Sequence, residues 1–134
     1  MAVIDFKRLR ILLIDDEWFI RSTIRQMLRQ IDVINTYEAE GAAAGIAETL
    51  RVKPHLVLCD VHMPDADGLS YLGDLRKAVI PSVAETPVVM LTSDGTPDVV
   101  LSAKDLKVSG YLLKPVSPAA LKKAIERALS APHP

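Results

Sequence analysis

The sequence predicts an α/β domain in which five parallel strands form a sheet covered by helices on both faces. Short apolar runs alternate with longer segments of helical periodicity, strand then helix, five times along the 134 residues. Pro, Gly or a charged residue bounds each apolar run, as is typical of strands buried on both faces. This alternation implies parallel strands connected by right-handed helical crossovers, and therefore a sheet with both faces covered.

Four apolar runs mark the clearer strands, and a weaker candidate lies between the first two. Each run is short and rich in Val, Leu or Ile, which favours the interior of a parallel sheet over a half-exposed strand. The four runs are ILLI (11–14), HLVLC (55–59), VVML (88–91) and YLL (111–113), and the weaker candidate is VINTY (33–37).

Helical patterns fill the intervals between the strands, over 17–31, 39–50, 68–76, 96–106 and 117–129. The last two open with a hydroxyl residue followed by proline, Thr96 and then Ser117, which is typical of a helix start. Two glycines weaken the prediction for 39–50. The stretch 77–87 looks slightly long for a connection, and we interpret it as a local loop insertion.

The first predicted helix is amphipathic. Its apolar positions share one face, and its arginines lie on another face that we expect to be solvated. Exposed arginines there could steer an acidic partner. The apolar positions are Ile20, Ile24, Met27, Leu28 and Ile31, and the arginines are Arg21, Arg25 and Arg29.

Composition excludes several classes of function. Sixteen Lys and Arg face seventeen Asp and Glu, and aromatics are 4%, so nucleic acid is not an expected direct partner. No apolar run approaches the roughly 20 residues of a membrane span, so no membrane partner is expected. The single cysteine, Cys59, excludes an internal disulfide, fits a reducing cytoplasm, and reads as a small buried hydrophobe. We expect one domain over 1–134, with its core at about 8–130, and no output domain.

Polar side chains follow four of the predicted strands. Asp15 and Asp16 come after the first strand, Asp60 after the third, Thr92 after the fourth and Lys114 after the fifth. In open sheets of this kind, ligands bind beyond the carboxyl ends of the strands. We therefore expect these five side chains to converge at one edge of the sheet.

Three carboxylates, a hydroxyl and an ammonium at one edge indicate phosphoryl chemistry. Neighbouring carboxylates raise one another's pKa or bind a divalent cation, and a set of hard oxygen ligands favours Mg²⁺. The sequence lacks the His and Cys spacing of zinc sites and the Gly-rich loop of nucleotide sites. A carboxylate beside Mg²⁺ can attack phosphorus and form an aspartyl phosphate, whose added charge an ammonium and a hydroxyl would offset.

Four motifs, in order, carry a resemblance to a known family. They are LIDDE (13–17), LCDVHMPDADGL (58–69), VVMLTS (88–93) and SGYLLKP (109–115). The sequence resembles the receiver domain of two-component response regulators, particularly the stand-alone, chemotaxis-type kind. That resemblance implies a flavodoxin-like (βα)5 doubly wound sheet with strand order 2-1-3-4-5.

The resemblance also implies residue roles around the acidic cluster. Asp60 matches the phosphoacceptor and also a Mg²⁺ ligand. Asp16 matches the direct Mg²⁺ carboxylate, and Asp15 matches the partner that acts through a water. The backbone carbonyl of His62 matches the third protein ligand, and Asp67 and Gly68 match the residues that open the third helix.

Further roles are implied for switching. Thr92 matches the switch hydroxyl, Tyr111 the aromatic that swings inward on activation, and Lys114 the phosphate-binding ammonium, which precedes a cis-prone proline. The side chains of His62 and Asp94 occupy the two positions that border the phosphate in the family. We expect an imidazole and a carboxylate there to tune phosphoryl lifetime.

The implied function is a phosphorylation-gated signalling switch whose output is a protein–protein interaction. Its phosphodonor would be a sensor histidine kinase or a histidine phosphotransfer protein, docked on the helix that contains Ile20 and Ile24. The domain would promote only its own phosphorylation and dephosphorylation, so it is not expected to be an enzyme. Its output would pass to a downstream target protein, and dimerisation could use the fourth and fifth predicted helices, 96–106 and 117–129.

Other interpretations remain open from the sequence alone. Asp15 and Asp16 could cap the first helix, although this explains one acid better than two. A Mg²⁺-dependent phosphohydrolase would also use an aspartyl phosphate, but it needs a second acid where His62 stands. A binding scaffold that has lost the switch is the third reading, and the intact set of acids, hydroxyl and lysine argues against it.

Overall fold

The computed structural model describes residues 4–63, 68–93 and 105–130, and it contains the predicted parallel sheet. Five strands lie in the order β2-β1-β3-β4-β5, and every neighbouring pair is parallel. This confirms the α/β class and the strand order that the resemblance implied. The strands are β1 (Arg10–Ile14), β2 (Asn35–Ala39), β3 (Leu56–Asp60), β4 (Val88–Thr92) and β5 (Gly110–Leu113).

The described helices follow the predicted segments closely. The start of the segment predicted over 96–106, including Thr96, lies outside the described residues. None of the helices in the described ranges is long and apolar enough to cross a membrane. They are a short 3₁₀ helix (Phe6–Arg8), α1 (Trp18–Gln30), α2 (Ala42–Val52), α3 (Gly68–Arg76), α4 (Pro81–Ala84) and α5 (Pro118–Ser130).

The sheet separates two apolar cores. On one face, side chains of β1, β3 and β4 pack under α1 and α5, with Leu28 and Ile125 fully buried. On the other face, the alternate side chains of the same strands pack under α2 and α3, with Tyr71 and Leu72 fully buried. Cys59 lies in this second core and is fully buried, as predicted. Because successive residues of a strand point to opposite faces, the central strands read as continuous apolar runs.

The predicted boundaries of β2 were wrong by two residues. Asp32 has a left-handed φ of 71°, and the N–H of Val33 donates to the carbonyl of Leu28 at 2.9 Å. This is the hydrogen bond that closes a helix in a Schellman motif. Val33 is therefore buried against the first core as part of the α1 terminus, and the strand begins only at Asn35.

The stretch 77–87 contains the short helix α4, so it is not wholly the loop insertion that we expected. The side chain of Arg76, the last residue of α3, reaches the end of this short helix. Its guanidinium donates to the carbonyls of Ala84 and Thr86, both at 2.8 Å, and to those of Leu106 and Lys107, both at 2.9 Å. One side chain thus joins α3, the end of α4 and the segment that leads into β5. Burial lowers the pKa of Arg76.

The arginines of α1 do not form the uniformly solvated face that we predicted. Arg21 is buried at 7% exposure, whereas Arg25 and Arg29 lie nearer the solvent. The helix wheel places Arg21 beside the apolar stripe, and its guanidinium donates hydrogen bonds to Asp15, which follows β1, and to Glu38 on β2. Those acceptors lie outside α1, so the periodicity of the helix alone could not reveal them.

Candidate functional site

The register between β1 and β3 brings the first acids beside Asp60. Ile14, the last residue of β1, pairs with Cys59. Asp15 is the next residue on one strand and Asp60 the next on the other, so the two carboxylates leave neighbouring strands at the same level. The N–H of Asp15 also donates to the carbonyl of Ala39 at 3.1 Å, which extends the ladder to β2.

The register on the other side of β3 adds the hydroxyl and the ammonium. Asp60 pairs with Leu91, and Thr92 pairs with Leu113. The N–H of Lys114 then donates to the carbonyl of Thr92 at 2.8 Å. The four strand ends therefore meet at one edge of the sheet, as the sequence predicted.

The three acids form one cluster. Carboxylate oxygens of Asp15, Asp16 and Asp60 all lie within 4.8 Å of one another. Asp15 is 2% exposed and Asp60 is 5% exposed, whereas Asp16 is open to solvent. The cluster thus has two buried acids at its base and one acid at its mouth.

Lys114 links the two buried acids. Its Nζ lies 3.3 Å from Oδ2 of Asp15 and 3.4 Å from Oδ2 of Asp60. Burial by itself lowers the pKa of Lys114, but the negative charges of Asp15 and Asp60 outweigh it, so the pKa is raised overall. The ammonium therefore stays charged, and it stands where it can meet further negative charge on Asp60.

The environment of Asp60 disfavours its ionised form. Burial raises the pKa of this carboxyl, and the charge of Asp15 raises it further. Lys114 and the backbone N–H of His62, which donates to Oδ1 at 3.4 Å, act in the opposite direction without cancelling the rise. An ionised Asp60 consequently carries uncompensated negative charge, and a cation at the cluster would relieve it.

Asp15 has a capping contact as well as its place in the cluster. Its Oδ1 accepts a hydrogen bond from the N–H of Glu17, the N-cap of α1, at 2.9 Å. The capping interpretation is thus correct for one oxygen of one acid. Asp16 stands at the exposed mouth of the cluster, and the N-cap of α1 is a different residue.

The other site residues take varied positions. Thr92 is fully buried at the end of β4, and Tyr111 is half-buried against the second core. His62 is exposed, and the peptide bond between Lys114 and Pro115 is cis. Asp67, expected at the start of the third helix, and Asp94, expected to border the phosphate, lie outside the described residues.

Gly68 approaches the backbone of Asp60 closely. The N–H of Gly68 donates to the carbonyl of Val61 at 2.8 Å, at the first turn of α3. A Cβ on this residue would overlap the carbonyl oxygen of Asp60 and would lie 2.7 Å from Cε of Met90. The start of α3 is therefore held directly against the end of β3.

The donor set at the cluster fits Mg²⁺. Three carboxylates converge, one of them open to solvent, and no His or Cys side chain belongs to this group among the described residues. Mg²⁺ prefers such hard oxygen ligands and keeps several of its waters, which an exposed mouth permits. The raised pKa of Asp60 gives the same indication, because a bound cation would offset the repulsion that raises it.

Comparisons with known proteins agree with this geometry. The family model described as response regulator receiver domain matches residues 11–126. The transcriptional regulatory protein PdtaR of Mycobacterium tuberculosis is 35% identical over 90% of this chain and 57% of its own length. The chemotaxis protein CheY-3 of Vibrio cholerae is 27% identical over 95% of this chain and 96% of its own. The solved structure of chemotaxis protein CheY4 of Vibrio cholerae matches with a TM-score of 0.81 and 25% identity, over 90% of this chain and 98% of that one.

A parallel sheet that collects three acids, a threonine and a lysine at its carboxyl edge defines a receiver-type signalling domain. The chain belongs to the response regulator receiver domain family of two-component signalling. Receiver domains are signalling switches, and they bind Mg²⁺ through acidic residues such as the three that converge here. The chain spans only about half the length of PdtaR and nearly the whole length of CheY-3.

Sequence reasoning missed one residue at this edge. Arg21 donates to the backbone carbonyl of Asp15, yet it was assigned to a solvated face. A signal was present in the sequence, since Arg21 directly follows Ile20 on the apolar stripe. A charged residue at the border of such a stripe is a candidate for a buried ion pair.

Proposed function

We propose that this chain accepts a phosphoryl group on Asp60 and passes the signal on through a change in protein–protein contacts. One observation carries the proposal: Nζ of Lys114 stands 3.3 Å from Asp15 and 3.4 Å from Asp60, beside a cluster of three acids. This arrangement presents one carboxylate as a nucleophile with a cation already beside it. It also leaves an open mouth through which a phosphodonor can approach.

Asp60 is the acceptor in this proposal. An Oδ atom attacks the phosphorus of a phosphohistidine, a new P–O bond forms, and the P–N bond breaks. The bonding electron pair leaves with the donor's imidazole nitrogen. Bound Mg²⁺, held by Asp16, Asp60 and the carbonyl of His62, with Asp15 acting through a water, would supply positive charge to the phosphoryl oxygens.

Lys114 and Thr92 handle the charge that arrives. The ammonium lies 3.4 Å from Asp60 before transfer, so it can bind the new phosphoryl oxygens without a large movement. The hydroxyl of Thr92, one residue beyond the level of Asp60 on β4, donates to another of these oxygens. Hydrolysis by water later restores the free carboxylate. The side chains of His62 and Asp94 set the rate of that hydrolysis.

The phosphoryl group acts as a switch because it biases a two-state element. Movement of Thr92 toward the phosphoryl oxygens opens space beside β4, and Tyr111, half-buried next to it on β5, turns into that space. The surface around β5 and α5 then changes its affinity for a target protein or for a second copy of the chain. The donor is a histidine kinase or a histidine phosphotransfer protein that docks on α1, in the cytoplasm.

Incubation with phosphoramidate tests this proposal, because its P–N bond resembles that of phosphohistidine. In Mg²⁺ the intact mass should increase by one phosphoryl group, and peptide mapping should place it on Asp60. Chelation of Mg²⁺ should abolish the gain. Asp60→Asn should remain unlabelled, whereas the matched control Asp32→Asn changes an exposed acid with a positive φ that asparagine tolerates, and it should label normally.

The same incubation separates the competing functions. A phosphohydrolase would release many phosphates per protein molecule with little label retained at any time. A scaffold without a switch would neither gain mass nor release phosphate. Either result, or a label that persists in Asp60→Asn, would contradict the proposal.

A further inference from the structure

Arg21 is a buried arginine whose guanidinium contacts the backbone of the acidic cluster. It is 7% exposed. Its Nη1 donates to the carbonyl oxygen of Asp15 at 2.5 Å, and its Nε donates to Oε1 of Glu38 on β2 at 2.9 Å. Arginine is rarely buried unless it is paired, and the planar guanidinium can serve two acceptors in fixed directions. Arg21 therefore ties α1 to the ends of two strands at once.

Every polar atom of Asp15 has a partner. Its N–H donates to Ala39, and its Oδ1 accepts from Glu17 at 2.9 Å. Its Oδ2 lies 3.3 Å from Nζ of Lys114, and its carbonyl oxygen accepts from Arg21. The first three contacts hold the strand end and the carboxylate. The hydrogen bond from Glu17 also limits the course of the chain after Asp15, but among the described residues the contact with Arg21 is the one made directly to the carbonyl of the peptide that leads onward from Asp15.

That peptide connects Asp15 to Asp16. Because a peptide unit is planar, fixing its carbonyl oxygen also fixes the direction in which the chain enters Asp16. We propose that Arg21 is a positioning residue for metal binding, which holds the peptide between Asp15 and Asp16 so that both carboxylates face Asp60. This inference rests on the Mg²⁺-dependent function proposed above and adds a residue that the acidic motif does not contain.

Arg25 provides a control inside the same network. Its Nη1 donates to Oε2 of Glu38 at 2.9 Å, so the two arginines share one carboxylate through its two oxygens. The side chain of Arg25 is 43% exposed, and its hydrogen bond is to Glu38. Replacement of either arginine by methionine removes one positive charge and one bond to Glu38. Replacement of Arg21 also releases the carbonyl of Asp15, and it removes a 4.0 Å ion pair with Glu40, whose side chain is 83% exposed and whose contribution is therefore small.

The experiment measures Mg²⁺ affinity directly in the full chain. Mg²⁺ binding is followed by the fluorescence of Trp18, an exposed residue two positions after Asp16. Mn²⁺ binding is followed by the loss of the electron paramagnetic resonance signal of the free ion. Arg21→Met should weaken both metals by about tenfold or more, the usual loss when a residue that orients a ligand is removed. Arg25→Met should bind both metals with nearly wild-type affinity, because the hydrogen bond of Arg25 is to Glu38 and not to the acidic cluster. Phosphorylation by phosphoramidate should need correspondingly more Mg²⁺ and should approach the wild-type rate when Mg²⁺ saturates.

Arg21→Lys supplies a rescue. A lysine retains the charge and can reach one of the two acceptors, but it lacks the planar fork. Its metal affinity should therefore lie below that of wild type and above that of Arg21→Met. If Arg21→Met does not fold, a metal affinity of Arg21→Lys below that of Arg25→Met supports the inference, and an affinity equal to that of wild type overturns it. Equal weakening by Arg21→Met and Arg25→Met would assign the effect to Glu38 and overturn the inference.

Two further outcomes are distinguishable. Unchanged metal affinity in Arg21→Met and Arg21→Lys, with a wild type that binds Mg²⁺, would overturn the inference and leave the proposed function standing. A wild type that binds neither metal would overturn both.

Discussion

Replacement of Asp60 by asparagine should stabilise the protein when no divalent cation is present. Burial and the charge of Asp15 raise the pKa of this carboxyl, so the folded state holds its proton more tightly than the unfolded chain does. An acid of this kind costs stability once it is ionised, and the cost grows as the pH rises through the raised pKa. Above the raised pKa the full cost is present, and asparagine, which fills nearly the same volume without charge, removes it.

The size of the effect follows from the geometry. Oxygens of Asp15 and Asp60 lie within 4.8 Å of each other, so their repulsion is at least about 3 kcal/mol for an effective dielectric constant of about 20. Attraction between Asp60 and Lys114 at 3.4 Å is about 5 kcal/mol on the same basis. Asp16 repels Asp60 as well, so the two repulsions and the attraction to Lys114 nearly cancel. The cost that remains is that of removing the Asp60 carboxylate, which is 5% exposed, from water.

We therefore expect a net gain of about 1–2 kcal/mol in the free energy of unfolding, since a buried amide retains part of the desolvation cost. That gain corresponds to a rise of about 3–6 °C in Tm for a domain of this size. Lys114 remains paired with Asp15 at 3.3 Å, so the substitution does not leave its charge unpaired.

Thermal unfolding followed by circular dichroism, in EDTA and then in Mg²⁺, checks the prediction. In EDTA at neutral pH the variant should melt above wild type, and the gap should narrow as the pH falls and Asp60 becomes protonated. In Mg²⁺ at ten times its Kd, wild type should gain about 1.4 kcal/mol while the variant gains less. The reasoning is refuted if Asp60→Asn is no more stable in EDTA than the exposed control Asp32→Asn.

Three other predictions concern residues outside the acidic cluster. Gly68→Ala should lower the free energy of unfolding by about 2 kcal/mol or more and slow labelling of Asp60, because its Cβ would overlap the carbonyl of Asp60. Gly73→Ala, in the same helix with open space around it, should instead gain up to about 1 kcal/mol in urea titrations, and equal effects at both glycines would contradict the argument. Burial, then Arg10, lowers the pKa of His55, whose Nδ1 accepts from the N–H of Arg10 at 3.0 Å. The stability that neutral His55 contributes should be complete above the ordinary histidine pKa of about 6.5, and it should be lost as the pH falls through the lowered value. Plots of stability against pH for wild type and His55→Gln that run parallel between about pH 7.5 and about pH 5, which bracket the ordinary pKa of about 6.5, would disprove it. Arg76→Met should cost roughly 2–4 kcal/mol, since four carbonyls lose a shared donor, and a loss under about 1 kcal/mol would show that water replaces the guanidinium.

The sequence predicts the strand ends well because topology converts position along the chain into position in space. Asp15, Asp60, Thr92 and Lys114 all follow apolar runs, and a parallel sheet brings such residues together whatever the helices do. The expectation of a Mg²⁺ site follows from the residue types, since converging carboxylates supply the hard oxygen ligands that Mg²⁺ prefers. These predictions use only local patterns in the sequence, namely short apolar runs and the polar residues that directly follow them.

Contacts between elements were harder to predict. The two glycines of the second predicted helix counted against it, yet a Cβ on Gly45 would lie 2.6 Å from Cδ1 of Ile14, so the small residue permits close packing. The pairing of Arg21 with Asp15 and Glu38 needs three elements in place before it exists. A pattern along one helix gives the direction of a side chain but does not identify the acceptor that it meets.

The guanidinium of Arg76 also has an evolutionary consequence. This single side chain, and not a strand or a helix, joins two parts of the chain, which are Ala84 and Thr86 on one side and Leu106 and Lys107 on the other. Residues 79–82 are exposed and lie outside that junction. Insertions or deletions among them should therefore be tolerated as long as the two carbonyls at 84 and 86 return to the same donor, whereas changes at Val83, which is buried in the second core, should not.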